Sequence, residues 1–166
     1  MLEWYNAGMS NRAVVITISD RCSRGESADR SGPTIVELLP RLEASLAHHE
    51  IVPDDVDRIR EAVKGWLGRA ELILTTGGTG VGARDVTPEA IEPLIERALP
   101  GFGEIMRGRS FDATPLSIVS RSGAGLAGNT LLVWLPGSPK AVRECIDWVA
   151  PAIIHVCEFL RGDVPQ

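Results

Sequence analysis

LILTTGGTGVGARDVTPEA, residues 72–90, is an apolar run that breaks into glycines and then opens a helix. Gly77, Gly78 and Gly80 allow backbone N–H groups to approach an anionic ligand without interference from a Cβ atom. A strand that ends in this way is how many α/β proteins bind phosphate. Asp85 in the same loop would repel a phosphate unless a divalent cation such as Mg²⁺ lay between them. The stretch therefore suggests a nucleotide site with a metal ion.

An ordinary tight turn before a capped helix is the alternative interpretation of this loop. Thr87 is a good N-cap and Pro88 a good first helical residue, and neither role needs a ligand. Glycines this close together also occur in loops that bind nothing. The residues of the loop alone leave both interpretations open.

The composition is typical of a globular protein with one domain. The chain has 166 residues, of which 44% are hydrophobic and 23% charged. The net charge of −5 argues against a general nucleic-acid binder. No apolar run approaches the roughly 20 residues of a membrane span, and the N-terminus does not resemble a signal peptide. We expect a cytoplasmic protein with an N-terminal extension over residues 1–12 and an α/β domain over residues 13–166.

Apolar runs alternate with helical patterns four times along the chain. The predicted strands cover residues 13–19, 50–53, 72–76 and 131–135. The predicted helices cover residues 33–46, 56–67 and 88–98, a shorter stretch between 100 and 112, and a long segment that begins at Ser138-Pro139. Residues 123–129 are predicted to form a glycine-rich turn. This alternation predicts a single-domain three-layer α/β sandwich, in which helices cover both faces of a mostly parallel sheet.

Polar or glycine residues follow each of the four predicted strands. These segments are Ser19-Asp20, Pro53-Asp54, Thr76 to Gly80, and Pro136-Gly137-Ser138. Right-handed crossovers bring the carboxyl ends of parallel strands to one edge of a sheet, where open α/β sheets bind their ligands. We therefore expect the four segments to converge on one site.

Several motifs make the chain resemble the molybdenum-cofactor biosynthesis family, which comprises the molybdopterin adenylyltransferases and their close relatives. The motifs are ISDRCSRGESADRSGP at 18–33, VPDD at 52–55, TTGGTG at 75–80 followed by Asp85 and TPEA, the pair Ser120-Arg121, and PGSPKAV at 136–142. The resemblance covers most of the chain, about residues 12–162.

The resemblance implies an enzyme that uses ATP and Mg²⁺ to transfer AMP to the terminal phosphate of molybdopterin, with release of pyrophosphate. It implies that Asp54 and Asp85 are the catalytic, metal-holding aspartates. It implies a nucleotide- and pterin-binding set of Ser19, Asp20, Thr76, Gly77, Gly78, Thr79, Gly80, Ser120, Arg121, Pro136, Gly137, Ser138 and Lys140. It also implies a homo-oligomer, either trimer or hexamer, and handover of the product to the molybdate-inserting enzyme.

The chemistry of this reaction needs no general base. The nucleophile is a phosphate monoester, which is largely dianionic at neutral pH. We therefore assign Asp54 and Asp85 to positioning of metal and substrate, and Lys140 to relief of charge repulsion.

Each of these residues also has an interpretation without a ligand. Asp54 could cap a helix, Asp85 could be a solvated residue near a helix dipole, and Lys140 could be a solvated lysine. Arg121 could be a surface residue, and Ser120 could bond to its own backbone.

Trp134 departs from the family pattern, in which Asn usually stands before the Leu-Pro pair. Tryptophan is bulkier and offers one donor and no acceptor. We expect Trp134 to line the substrate crevice. Two alternatives to the enzyme are a non-catalytic or weakly active paralogue that acts as a carrier or assembly partner, and a fold-only relative such as a domain of a nucleotide pyrophosphatase. The pair Asp54 and Asp85 favours the enzyme, whereas Trp134 favours the carrier.

Overall fold

A six-stranded sheet forms the centre of the computed structural model, which describes residues 11–163. The strands are β1 (Asn11–Ile18), β2 (Ala44–Val52), β3 (Leu72–Thr76), β4 (Arg97–Ala98), β5 (Gly123–Ala127) and β6 (Thr130–Leu135). Their order across the sheet is β2-β1-β3-β6-β5-β4. β2, β1, β3 and β6 are parallel to one another, whereas β5 is antiparallel to β6 and β4 is antiparallel to β5. The predicted mostly parallel sheet is confirmed.

The three central strands are buried on both faces. Every residue of β3 and β6 is buried, and so is every residue of β1 except Arg12. Parallel strands covered on both sides need side chains that are apolar in both directions, which explains the continuous apolar runs. The proposed N-terminal extension lies outside the described residues, apart from Asn11 and Arg12, which begin β1.

Helices cover both faces of the sheet. They are α1 (Asp20–Ser23), α2 (Ser31–Leu38), α3 (Val56–Lys64), α4 (Thr87–Ile91), α5 (Pro100–Phe111) and α6 (Pro139–Arg161). Met106 of α5 and Ile146 of α6 belong to a core on one face, which α2 also covers. Ile59 of α3 and Ile91 of α4 belong to a second core on the other face. The three predicted layers are therefore present. In residues 11–163 we find no helix long and apolar enough to cross a membrane.

The predicted helix over residues 33–46 ends too late. α2 ends at Leu38, a 3-10 helix covers Leu39–Leu42, and β2 begins at Ala44. Glu43 adopts a φ of 51°, which breaks the helical path between them. Leu46 fits the helical apolar period, but it lies on an edge strand with 45% of its surface exposed.

Two other predicted elements are wrong. Of the predicted turn over residues 123–129, only residues 128–129 are a turn, and residues 123–127 form the buried strand β5. The glycines of β5 lie against bulky neighbours. A Cβ on Gly123 would lie 2.8 Å from Cζ2 of Trp134. The predicted helix over residues 88–98 breaks at Ile91, where Pro93 lacks the N–H needed to continue it. A 3-10 helix at Glu92–Leu94 and the short strand β4 follow.

Candidate functional site

The carboxyl ends of the four parallel strands lie side by side at one edge of the sheet. The amide of Ser19 donates to the carbonyl of Val52 at 2.9 Å, which joins the ends of β1 and β2. The amide of Gly77 donates to the carbonyl of Leu135 at 3.2 Å, which joins β3 and β6. A cleft of about 430 Å³ opens here, and its lining includes Ser19, Cys22, Gly77 and Gly137. Residues from the segments after β1, β3 and β6 therefore share one cleft.

Two glycines at the end of β3 are required by their backbone conformations. Gly77 has a φ of 101° and Gly78 a φ of 64°, both in the region that side chains disfavour. A Cβ on Gly77 would overlap the carbonyl oxygen of Ile18, and one on Gly78 would overlap the hydroxyl of Thr87. The loop therefore passes so close to its neighbours that only glycine fits.

Two threonine hydroxyls fix this loop from within. Thr87 Oγ1 donates to the carbonyl of Gly77 at 2.8 Å, so Thr87 does not cap α4 as the turn interpretation predicted. The N-cap of α4 is Val86, which makes no side-chain capping bond. Thr76 Oγ1 donates to the carbonyl of Pro136 at 2.7 Å and links the loops after β3 and β6. Both hydroxyls are used inside the protein and shape the loop.

Asp54 and Asp20 hold each other at the ends of β2 and β1. The amide of Asp20 donates to Asp54 Oδ2 at 2.8 Å, and the amide of Asp54 donates to Asp20 Oδ1 at 3.1 Å. Asp55 caps α3, since its Oδ1 accepts from the amide of Arg58 at 2.9 Å. The alternative role of Asp54 as a helix cap is therefore taken by its neighbour.

Negative charge accumulates around Asp54. Its pKa is raised, mainly by burial, and the carboxylates of Asp20 and Asp85 raise it further, against the opposing effects of the Asp20 amide and Arg84. The pKa of Asp20 is lowered, chiefly by the hydrogen bond from Arg84. Asp20 and Asp85 both add negative charge near Asp54, so a phosphate that enters this edge would be repelled unless a cation lay between them.

Asp85 folds back onto its own loop. Its Oδ2 accepts a hydrogen bond from the amide of Gly82 at 2.8 Å. A Cβ on either Gly80 or Gly82 would lie 2.8 Å from that oxygen. Gly80 therefore makes room for the Asp85 carboxylate. Asp85 is half-exposed and stays accessible from solvent.

Arg121 binds the backbone of the loop that carries Gly80 and Asp85. Its Nε donates to the carbonyl of Gly80 at 2.8 Å, its Nη2 donates to the carbonyl of Asp85 at 2.6 Å, and its Nη1 pairs with Glu89. The amide of Arg121 also bonds to the carbonyl of Thr79 at 2.8 Å. Arg121 is thus more than a surface residue, because its guanidinium fixes the loop that carries Asp85.

Trp134 of β6 holds the backbone of Arg121 in place. Its indole Nε1 donates to the carbonyl of Arg121 at 2.8 Å, and the side chain is only 5% exposed. Trp134 lines a second cavity of about 950 Å³, together with Ser120 and Arg121, instead of the cleft at Gly77. Ser120 Oγ lies 3.0 Å from Ser122 Oγ within its own segment.

The segment after β6 begins the longest helix. Ser138 Oγ accepts from the amide of Ala141 at 3.2 Å, which caps α6 as predicted. Lys140 in the first turn is 82% exposed and lies 3.9 Å from Glu144. Its ammonium therefore extends into solvent at the same edge of the sheet.

Arg84 is a residue that the sequence analysis missed. Its Nε and Nη2 donate to Asp20 Oδ2 at 2.9 and 2.6 Å, across 64 positions of sequence. The signal for it was a basic residue directly before Asp85 in the glycine-rich loop.

The carboxylates at this edge suit a Mg²⁺ ion that is coordinated by both the protein and a phosphate. Within residues 11–163, no three His, Cys, Asp or Glu side chains form a ready-made metal site. Mg²⁺ in phosphate-handling proteins commonly takes one or two carboxylates and fills its other positions with water and phosphate oxygens. Asp54 and Asp85 offer that number of hard oxygen donors.

Comparisons with known proteins show the family of the chain. Residues 14–155 match the family model described as "Probable molybdopterin binding domain". A protein of Helicobacter pylori named molybdopterin adenylyltransferase is 40% identical over 156 residues, which cover 92% of this chain and 89% of that protein.

Solved structures share the whole fold. The molybdopterin biosynthesis enzyme MoaB of Thermus thermophilus superimposes with a TM-score of 0.86 at 39% identity, covering 92% of this chain and 98% of that one. The tungsten cofactor synthesizing protein MoaB of Pyrococcus furiosus gives a TM-score of 0.84 at 34% identity, covering 93% and 99%. The chain belongs to the molybdenum-cofactor biosynthesis family of molybdopterin-binding domains.

Proposed function

We propose that the protein is a molybdopterin adenylyltransferase, which transfers AMP from ATP to the terminal phosphate of molybdopterin. The observation that carries the proposal is that Asp54 and Asp85 lie at the same edge of the sheet, where the parallel strands end. Both lie beside a loop whose backbone leaves no room for a side chain at its glycine positions. Relatives that carry this activity in their name match the chain over most of their length.

The reaction joins a phosphate oxygen of molybdopterin to the α-phosphorus of ATP. The bond between that phosphorus and the oxygen leading to the β-phosphate breaks, and pyrophosphate leaves with the bonding electrons. The attacking monoester is largely dianionic at neutral pH, so no residue has to remove a proton. The protein has to position two anions that repel each other, which is a task for electrostatics and geometry.

The residues at the strand ends supply that positioning. We assign Gly77 and Gly78 to the close approach of backbone to phosphate, since both conformations exclude a side chain. Lys140 extends into solvent from the first turn of α6, and we assign its charge to relief of the repulsion between the two anions. Asp54 and Asp85 would hold Mg²⁺. When bound, that ion would neutralise charge on the phosphates and polarise the P–O bonds.

A direct assay tests this function. Purified protein is mixed with molybdopterin, Mg²⁺ and ATP labelled in its α-phosphate, and the products are separated. We expect adenylylated molybdopterin and pyrophosphate in equal amounts, and no transfer when Mg²⁺ is chelated. Binding of molybdopterin without formation of product would contradict the proposal and identify a carrier.

We also propose that the protein is a homo-oligomer, trimer or hexamer, and that it passes its product to the molybdate-inserting enzyme in the cytoplasm. Exposed apolar side chains concentrate in α5 and the 3-10 helix after it, as expected of a surface that another subunit covers. They are Ile105, Phe111, Leu116, Ile118 and Val119. The free cysteines suit a reducing compartment. Analytical ultracentrifugation would give the subunit number.

A further inference from the structure

Arg84 links the glycine-rich loop to the end of β1. It lies between β3 and α4, directly before Asp85, and both of its contacting nitrogens reach the same oxygen, Asp20 Oδ2. Asp20 in turn exchanges hydrogen bonds with Asp54. Arg84 therefore contacts the carboxylates of this edge through Asp20.

The contact between Arg84 and Asp20 is easy to exchange. The side chain of Arg84 is 70% exposed, so water and salt screen the pair. Because both nitrogens share one oxygen, the pair lacks the two-oxygen geometry that makes arginine contacts with carboxylates strong. A ligand with several negatively charged oxygens could therefore compete with Asp20 for Arg84.

A polyphosphate is such a ligand, and the field at this edge would otherwise repel it. Asp20 and Asp54 exchange hydrogen bonds, and the carboxylates of Asp54 and Asp85 both lie against the glycine-rich loop, so negative charges converge on this edge. A phosphate presents more charge than a carboxylate and offers two oxygens to the guanidinium fork. A change of partner would bring a cation to the phosphate from a loop that already lies at the cleft.

We propose that Arg84 is a phosphate-binding residue for the nucleotide, which exchanges Asp20 for the polyphosphate of ATP when ATP binds. The proposal rests on the function proposed above and adds a residue to its binding site. The competing interpretation is that Arg84 is only a structural clip between the loop and β1.

Titration of ATP and of molybdopterin, each alone, into wild type and variants separates the two interpretations. Arg84→Gln removes the charge, Arg84→Lys keeps it, and Arg24→Gln is the matched control. Arg24 follows α1 nearby, is 56% exposed and pairs with Glu26 at 2.7 Å. The control therefore removes the same charge from an exposed ion pair near this edge.

We expect Arg84→Gln to weaken ATP binding by about tenfold or more, as for loss of a charge-assisted hydrogen bond. Arg84→Lys should keep part of the affinity, because it retains the charge but loses the guanidinium fork. Arg24→Gln should stay within about threefold of wild type, because its partner is Glu26 and the pair is exposed. Molybdopterin affinity should stay within about threefold in every variant. In the transfer assay the loss should appear in KM for ATP, with kcat little changed.

Three results would overturn the proposal. One is equal ATP affinity in Arg84→Gln and wild type. Another is an equal loss of affinity for both ligands with a lower melting temperature, which would identify a structural clip. The third is absence of ATP binding by wild type. If wild type binds ATP but forms no product, the proposed function fails, and the binding comparison still decides the role of Arg84.

Discussion

Thr75 carries a hydroxyl that is buried in the sheet without a partner. The residue is 1% exposed, and within residues 11–163 its Oγ1 makes no hydrogen bond. Thr130 is equally buried, but its Oγ1 donates to the carbonyl of Ala70 at 2.8 Å and accepts from the amide of Gly68 at 3.0 Å. The two side chains therefore have the same chemistry but differ in whether the buried hydroxyl has a partner.

We predict that Thr75→Val raises the free energy of unfolding by about 1 kcal/mol, because valine has the same shape and replaces an unpaired buried hydroxyl with a methyl group. Thr130→Val should lower it by about 1–3 kcal/mol, since two polar groups lose their partner. Urea unfolding of both variants measures the difference. Equal losses in the two variants would show that Thr75 has a partner, such as a buried water.

Adjacent aspartates show what single residues reveal before a structure is known. Asp54 and Asp55 both stand at the start of a helical pattern, and either could cap it. The backbone decides between them, since Asp55 reaches the amide of Arg58 and Asp54 turns toward Asp20. The sequence could place a carboxylate at this edge, but the partner of Asp54 depends on two strands meeting in space.

The loop between β3 and α4 depends on the conformations of its glycines. We predict that Gly77→Ala lowers the free energy of unfolding by about 3 kcal/mol or more, because a strained φ adds to a clash with the backbone of Ile18. Gly128 provides the control, since its φ of 57° is also positive but a Cβ there would meet nothing within 4 Å. Gly128→Ala should cost only about 1 kcal/mol. Similar losses in both variants would contradict the close approach at Gly77.

The opposite end of the sheet is tied by an ion pair between β1 and the residue before β3. The amide of Arg12 donates to Glu71 Oε2 at 2.6 Å, and its Nη2 donates to Oε1 at 2.9 Å. Burial opposes ionisation of Glu71, but the hydrogen bonds from Arg12 outweigh it and hold the pKa of Glu71 below its ordinary value. The folded state therefore binds the Glu71 proton less readily than the unfolded chain does.

A lowered folded pKa stabilises the protein above the unfolded pKa, and this stability is lost as the pH falls through the folded pKa. We predict that Glu71→Gln is less stable than wild type at pH 7, and that the difference shrinks once the pH falls below 4.5, the ordinary pKa. Thermal unfolding of both proteins across the acid range measures this. A difference that stays constant with pH would show that the charge of Glu71 is not the cause.

Elements buried on both faces could be predicted, and those at the sheet margins could not. β1, β3 and β6 have continuous apolar sequences because neighbours cover them on both sides. β2 is an edge strand with mixed polarity, so its first residues fit the period of the preceding helix and only its last residues are predicted as a strand. β5 is rich in glycine because Trp134 and other bulky side chains lie against it, and composition alone favours a turn. In both cases tertiary packing outweighed local propensity.

In the whole molecule, the parallel topology brings segments that are distant in sequence to the same edge of the sheet. The four strand ends could be predicted to meet because crossover connections leave few alternatives. The contacts that organise them could not, since Arg84 and Asp20 lie 64 positions apart and Arg121 and Gly80 lie 41 apart. The loop that carries Asp85 is held by both arginines, directly or through Asp20, so the position of Asp85 depends on the complete fold.

Asp85 separates an enzyme from a binding protein of the same fold. We predict that Asp85→Asn folds normally, because asparagine keeps the size of the side chain and its oxygen can still accept from the amide of Gly82. Loss of the charge should lower AMP transfer by about a hundredfold or more, which corresponds to the 2.7–4 kcal/mol typical of electrostatic positioning in a transition state. Molybdopterin binding should change little, because the other loops at the edge stay intact.

The measurement compares AMP transfer at saturating ATP and Mg²⁺ with a separate titration of molybdopterin. Asp147→Asn is the matched control, since Asp147 is a half-exposed aspartate on α6 that pairs with Arg41. It should transfer AMP at the wild-type rate. Equal rates in Asp85→Asn and wild type would remove Asp85 from the catalytic site. A parallel loss of transfer and molybdopterin binding would mean that Asp85 shapes the pterin site and does not act where the phosphates meet.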